Sequence, residues 1–239
     1  MERIAVGPAT ALGRLSVSPD GELLAASEPV RARFEARHDA REIGLAASRD
    51  ATRAAASAIR AVHRDELERA EDLVEQARGH LATAVDACEP HPTVRHAGFV
   101  TDAAKEVAEA VLTRAAVLEI VLPGPEEVGV DDVAWLHGLA ETVGELRRAC
   151  LDRMRAGELS TAERLLDRMQ EILAVLVTID VPDALTRGLR RATDGARAIT
   201  ERTRGDLTTA VGQRALRDAL EAHRHALDRA TEARSDTGR

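Results

Sequence analysis

The sequence predicts an all-α protein, and three observations carry that expectation. Aromatic residues are limited to Phe34, Phe99 and Trp135, so a core must come from Leu, Val, Ile and Ala, which suits helix packing better than a β-sandwich. Apolar residues recur at helical spacing along most of the chain. Turn-forming clusters such as Glu89-Pro90-His91-Pro92 and Pro123-Gly124-Pro125 separate these periodic stretches.

Taken in order, residues 1–27 lack a helical period and hold Gly7, Pro8, Gly13, Pro19 and Gly21. Ser18-Pro19-Asp20-Gly21 is a turn signal compatible with a small hairpin, but an isolated hairpin is marginal in water, so a poorly ordered extension is expected. A single helical domain is expected over 28–234, with a frayed tail at 235–239. Ser27 is a candidate N-cap and Pro29 a first-turn residue for a helix running to His63. Glu35 and His38 within it form an ExxH, but no second copy on a matching helix is present, so they read as solvated charge. Further helices are expected over Asp65–Ala87, Thr93–Leu122, Asp131/Asp132–Ala156 and Ala162–Ile179, the last opened by a capping-box pattern at Ser160–Glu163. Gly157 stops the fourth of these five. A sixth begins near Asp183 and bends at Gly205, with a seventh segment reaching about Arg234. The expected architecture is a bundle of six to seven helices.

Composition narrows function. The 239 residues are 44% hydrophobic and 31% charged, with a formal net charge of −8, which fits a folded soluble chain that repels nucleic acid overall. Any nucleic-acid contact must then use local arginine clusters. The near-absence of aromatics excludes the base-stacking platforms of RRM-like and OB-like binders. Lys105 is the only lysine. Cys88 and Cys150 form no CxxC or CxxH pattern, so a zinc site is not expected, and two buried free thiols suit a reducing cytoplasm. No apolar h-region follows the N-terminus and no run of 18 apolar residues occurs, so neither a signal peptide nor a membrane span is expected.

Two acidic pairs stand out. Glu106 and Glu109 are spaced i,i+3, and Glu141 and Glu145 i,i+4, so each pair projects from one side of its helix. On a helical wheel the pairs lie opposite the Val107/Val111 and Leu139/Val143 stripes, as a solvated face would. The other reading is a metal site: if the two helices face each other, the carboxylates converge and a hard divalent cation relieves their repulsion. Gly138 and Gly144 sit near the second pair. Glycine inside a helix costs about 1 kcal/mol relative to alanine, and close approach of a second helix or a substrate would supply a reason for it. His137 falls in one i,i+4,i+8 row with Glu141 and Glu145.

An ordered series of segments resembles the translin family, specifically its TRAX-like (translin-associated factor X) branch. Ala47-Ser48-Arg49-Asp50-Ala51-Thr52 through Ile59-Arg60-Ala61-Val62-His63-Arg64 resembles the family's first long helix. Lys105-Glu106-Val107-Ala108-Glu109-Ala110 resembles its QEYVEA segment, and Gly138 to Leu146 its GVADLTGEL segment. Leu189-Arg190-Arg191 onward to Arg204-Gly205 resembles its final helix, so the match spans about residues 30–210. The resemblance implies an all-α fold assembling into a homo-octamer with no membrane role. In the TRAX-like branch it implies an Mg²⁺-dependent site, with Mn²⁺ as the alternative ion, that cleaves RNA. Carried over by position, the catalytic and metal-binding acids are Glu106, Glu109, Glu141 and Glu145. Glu141 stands where the family usually has Asp, and Val107 where it has Tyr. The implied activity is endoribonucleolytic hydrolysis of single-stranded RNA. Arg95, Arg147, Arg148, Arg190 and Arg191 are candidates for gripping the RNA backbone or, alternatively, surface arginines paired to nearby acids. The competing functions are a non-catalytic translin-like protein that binds single-stranded RNA or DNA, and a helical scaffold.

Overall fold

The structure is a computed structural model that describes residues 21–237, the side chains of 22 and 230–237 excepted. Six long helices, α1 (Glu22–Val62), α2 (Leu67–Cys88), α4 (Gly98–Val117), α6 (Asp132–Ala156), α7 (Leu159–Thr178) and α9 (Leu189–Thr237), are joined by three single-turn helices among the described residues. These are α3 (Pro92–Arg95), α5 (Pro125–Val128) and α8 (Asp183–Thr186), and none of the described residues forms a strand. The all-α class expected from composition is the one observed.

Several boundaries differ from the sequence reading. The expected extension at 1–20 lies outside the described residues, and α1 starts at Glu22 rather than after Ser27. Ser27 does not cap it, since its hydroxyl donates back to Leu24 O, and Pro29 lies within the helix. The stretch 93–122 is not one helix. Ala97 is extended (φ −70°, ψ 142°) and separates α3 from α4. Gly205 does not divide the last helix into two segments: Thr200, Thr203 and Leu207 around it are buried, and α9 runs through as 49 residues. Packing overrides the local glycine penalty there. Asp131 caps α6 as expected, its Oδ1 accepting from Ala134 N at 2.8 Å, and Gly157 closes it at φ 82°, a left-handed conformation that glycine adopts without strain.

The long helices form two half-bundles. Helices α1, α2 and α4 pack together around Ala51, Ala55, Ala58, Ala77, Leu81 and Val107. Helices α6, α7 and α9 pack around Leu146, Leu165, Met169, Ile172 and Leu189. Alanines, which allow helix axes to approach closely, dominate the first core, whereas larger side chains fill the second. The halves meet where α4 lies against α6, and Ala108 and Leu112 of α4 belong to the second core. Cys88 and Cys150 are buried free thiols. Two ends project from this body. Among the residues whose side chains are described, Ala40 is the first buried one of α1, and Leu207 is the last of α9. Among the described residues no helix is long and apolar enough to cross a membrane.

Candidate metal centre

The seam between α4 and α6 carries the acidic pairs. What brings the backbones together is Gly138. A methyl group on it would lie 2.6 Å from Ala108 Cβ, 2.9 Å from Glu109 N and 3.0 Å from the Lys105 carbonyl oxygen, so no larger residue fits without a shift. Gly144 has no such neighbour, with nothing within 4 Å of the place its Cβ would take.

This approach gathers Glu106, Glu109 and Glu141, one carboxylate oxygen from each lying within 4.8 Å of the others. Glu109 is the innermost. It is 9% exposed and has neither a hydrogen bond nor an ion pair among the described residues. Burial pushes its carboxyl up to about 8, and the charges of Glu141, Glu106 and Glu145 add to the effect. Lys105 faces the other two acids, with Nζ 2.8 Å from Glu141 Oε1 and 3.4 Å from Glu106 Oε1. Burial works against the ammonium charge. The hydrogen bond to Glu141 and the charges of both acids outweigh it and hold the group above the ordinary lysine value.

Glu145 stands outside that trio. Its Oε2 is 2.5 Å from Nε2 of His63, the residue that follows α1, and 3.9 Å from Arg148 Nη1. The His63 hydrogen bond holds its carboxyl below the ordinary range despite partial burial. It remains near enough to Glu109 to oppose that residue's ionisation. His137, on the same row of α6, is taken up by backbone, its Nε2 lying 2.8 Å from Thr186 O.

The donor set is all carboxylate oxygen, from two rigid helices, around a buried acid that makes no ion pair among the described residues. Hard divalent cations such as Mg²⁺ and Mn²⁺ take ligands of this kind, while softer metals favour nitrogen or sulfur. The residues present therefore fit such an ion.

No protein-family model matches the chain. Among solved structures, AfC3PO is 32% identical with a TM-score of 0.74, the similarity covering 80% of this chain and 99% of that one. The complex of AfC3PO with duplex RNA matches at 31% identity and a TM-score of 0.73, over 80% of this chain and 98% of that chain. The chain belongs to the C3PO/translin family. NeC3PO in its apo form shares the fold at 18% identity, with a TM-score of 0.73 over 80% of this chain and all of that one. An uncharacterized protein of Methanocaldococcus jannaschii is 28% identical over 182 residues, which is 75% of this chain and 80% of that protein.

Within this C3PO/translin fold, the candidate arginines are placed very differently. Arg148 follows Glu141 and Glu145 along α6 and is half exposed. Arg147 instead ties α6 to α9, donating to Thr203 Oγ1 at 2.9 Å and pairing with Asp206 at 2.8 Å. Arg95 lies 3.5 Å from Glu89. Arg190 and Arg191 line a different cleft of about 840 Å³, formed by residues 179–183 and the start of α9, with Arg190 exposed and 4.0 Å from Asp180. A smaller cleft of about 260 Å³ adjoins the acids directly and is lined by Thr101, Asp102, Lys105, His137, Glu141 and Arg187, among others. Two residues at the centre were not singled out by sequence, Lys105 and His63. The only signal for Lys105 was a lone lysine beside an acidic pair. His63 stood only within the segment that resembles the family's first long helix, 82 residues from Glu145.

Proposed function

We propose that this chain is a TRAX-like, Mg²⁺-dependent endoribonuclease that hydrolyses phosphodiester bonds in RNA. The observation that carries the reading is the meeting of Glu106, Glu109 and Glu141 from two helices around a buried acid that has no partner of its own. Glu106, Glu109 and Glu141 would hold the ion, and Glu145, oriented and kept ionised by His63, would complete the acidic wall. A bound divalent ion supplies an activated water and offsets the charge that develops on the phosphate. Arg148, on the face of α6 that carries Glu141 and Glu145, meets the RNA backbone. That AfC3PO has been solved with duplex RNA supports RNA as the ligand class, and both single-stranded and duplex RNA belong in the test. Assembly of identical chains into an octamer is part of the proposal, to be read from the mass of the particle in solution.

The test incubates purified protein with labelled single-stranded and duplex RNA, in Mg²⁺ and in EDTA, beside a Glu106→Gln/Glu109→Gln double variant. Cutting that needs Mg²⁺ and disappears in the variant supports the nuclease. Binding without cutting in every sample assigns the chain to non-catalytic RNA or DNA binding. Absence of binding at low salt removes the nucleic-acid role.

A further inference from the structure

The chain's single lysine sits among the oxygens a metal would take. Lys105 Nζ is within hydrogen-bond distance of Glu141 and 3.4 Å from Glu106, the two acids that join the partnerless Glu109 in the cluster. An ammonium and a divalent cation cannot both occupy that space, and at separations of a few ångströms their repulsion in a partly dehydrated setting is large. The lysine has somewhere else to go. Its side chain also lines the small cleft beside the acids, as does the exposed carboxylate of Asp102. Asp102 lies three residues earlier on α4, a spacing at which helical side chains meet, and it has no ion pair among the described residues. The lysine stem is long and freely rotating, with three donors on one point charge.

We propose that Lys105 is a tethered competitor for the metal: a divalent ion must displace its ammonium from Glu106 and Glu141, and the displaced group is received by Asp102. Lys105 thereby sets how much free metal the site needs before it fills. This rests on the metal reading of the acidic cluster given above. A lysine that served only to brace α4 against α6 would alter stability and act on a bound ion through space alone, an effect that added salt screens.

The experiment measures Mn²⁺ binding by titration calorimetry and by the loss of the free-ion EPR signal, on full-length protein treated with EDTA and dialysed. Wild type is compared with Lys105→Gln, Lys105→Arg and Asp102→Asn. Lys105→Gln should bind Mn²⁺ at least ten-fold tighter. Lys105→Arg, which keeps the charge, should stay within about three-fold of wild type, and Asp102→Asn, which removes the second seat, should bind more weakly. Should Lys105→Gln fail to fold, Asp102→Asn still decides when read in high salt, where the through-space effect of a lost charge is screened: weaker Mn²⁺ binding that persists there supports the second seat, and wild-type affinity there overturns it. Equal or weaker binding by Lys105→Gln overturns the competitor role while leaving the metal site standing. No Mn²⁺ binding by either wild type or Lys105→Gln overturns both.

Discussion

His63 Nε2 and Glu145 Oε2 are 2.5 Å apart, joining the end of α1 to the middle of α6. His63 is nearly buried, with 5% of its side chain exposed, so the bond clamps the two half-bundles together beside the acidic trio. Because it holds the Glu145 carboxyl below its unfolded value of 4.5, the stabilisation is complete above that value and is lost as pH falls through the lower folded one. Replacing His63 with Ala should cost about 1–3 kcal/mol near neutral pH. It should also flatten the fall in stability below about pH 5. Urea unfolding across that range checks both, and an unchanged acid limb would show that the clamp is worth nothing.

Glu109 behaves in the opposite sense. Burial first, and then its three acidic neighbours, raise its carboxyl from 4.5 to about 8, so the folded chain keeps a proton that the unfolded chain releases. Stability on this account is highest below 4.5 and declines as pH rises to about 8, at no more than ~1.4 kcal/mol per pH unit. In EDTA, Glu109→Gln should be less sensitive to pH over that window and should gain on wild type at its upper end by about 2–4 kcal/mol. Parallel denaturant curves in mildly acidic and mildly alkaline buffer measure the difference.

The two glycines of α6 should respond to alanine with opposite signs. At Gly138 the added carbon meets Ala108 and the α4 backbone at 3.0 Å or less, and forcing α6 outward should cost about 1–3 kcal/mol. It should also spread the carboxylates and weaken Mn²⁺ binding. At Gly144 the same carbon enters open space, so Gly144→Ala should stabilise the helix by up to about 1 kcal/mol. Thermal melts of the two variants, side by side, decide this.

Arg147 and Arg148 are neighbours in sequence with different work. Arg147→Ala breaks contacts to Thr203 and Asp206 and should lower the melting temperature. Arg148→Ala, whose nearest acid is 3.9 Å away, should leave melting within about 0.5 kcal/mol of wild type. It should weaken RNA binding without sequence preference and reduce the dependence of log affinity on log salt by roughly one unit. Titrations at several salt concentrations supply the slope.

The end of α9 contributes little to the fold. Between Leu207, which is buried, and residue 229 no described side chain is buried, and Val211, Leu216 and Leu220 are exposed. A chain ending at Ala210 should melt within about 0.5 kcal/mol of full length, as measured by calorimetry.

The helices were legible because their apolar residues repeat and because Pro90, Pro92, Pro123 and Pro125 separate them. The acidic pairs were legible as pairs, not as a buried site. A helical wheel weighs Val107, Val111, Leu139 and Val143 and puts the glutamates on the wet side. The seam is built from Ala104, Ala108 and Gly138, which carry almost no weight on a wheel, yet their small size is what lets the backbones close over Glu109. Gly138 was readable as a point of close approach, and Gly144, which looks the same in sequence, was not distinguishable from it. Ala97 and Gly205 show the same limit, because backbone breaks and unbroken runs there are decided by what packs against them. Lys105 and His63 meet Glu141 and Glu145 across helices, and no local pattern gives those partners.

Because α1 with α2 and α4 makes one packing unit and α6 with α7 and α9 makes the other, neither unit owns a complete set of acids. The trio exists only while the two stay shut against each other, like facing pages of a book. Anything that bridges the facing pages, ion or ammonium, acts as a latch, and slowed amide exchange on both sides at once would be its signature.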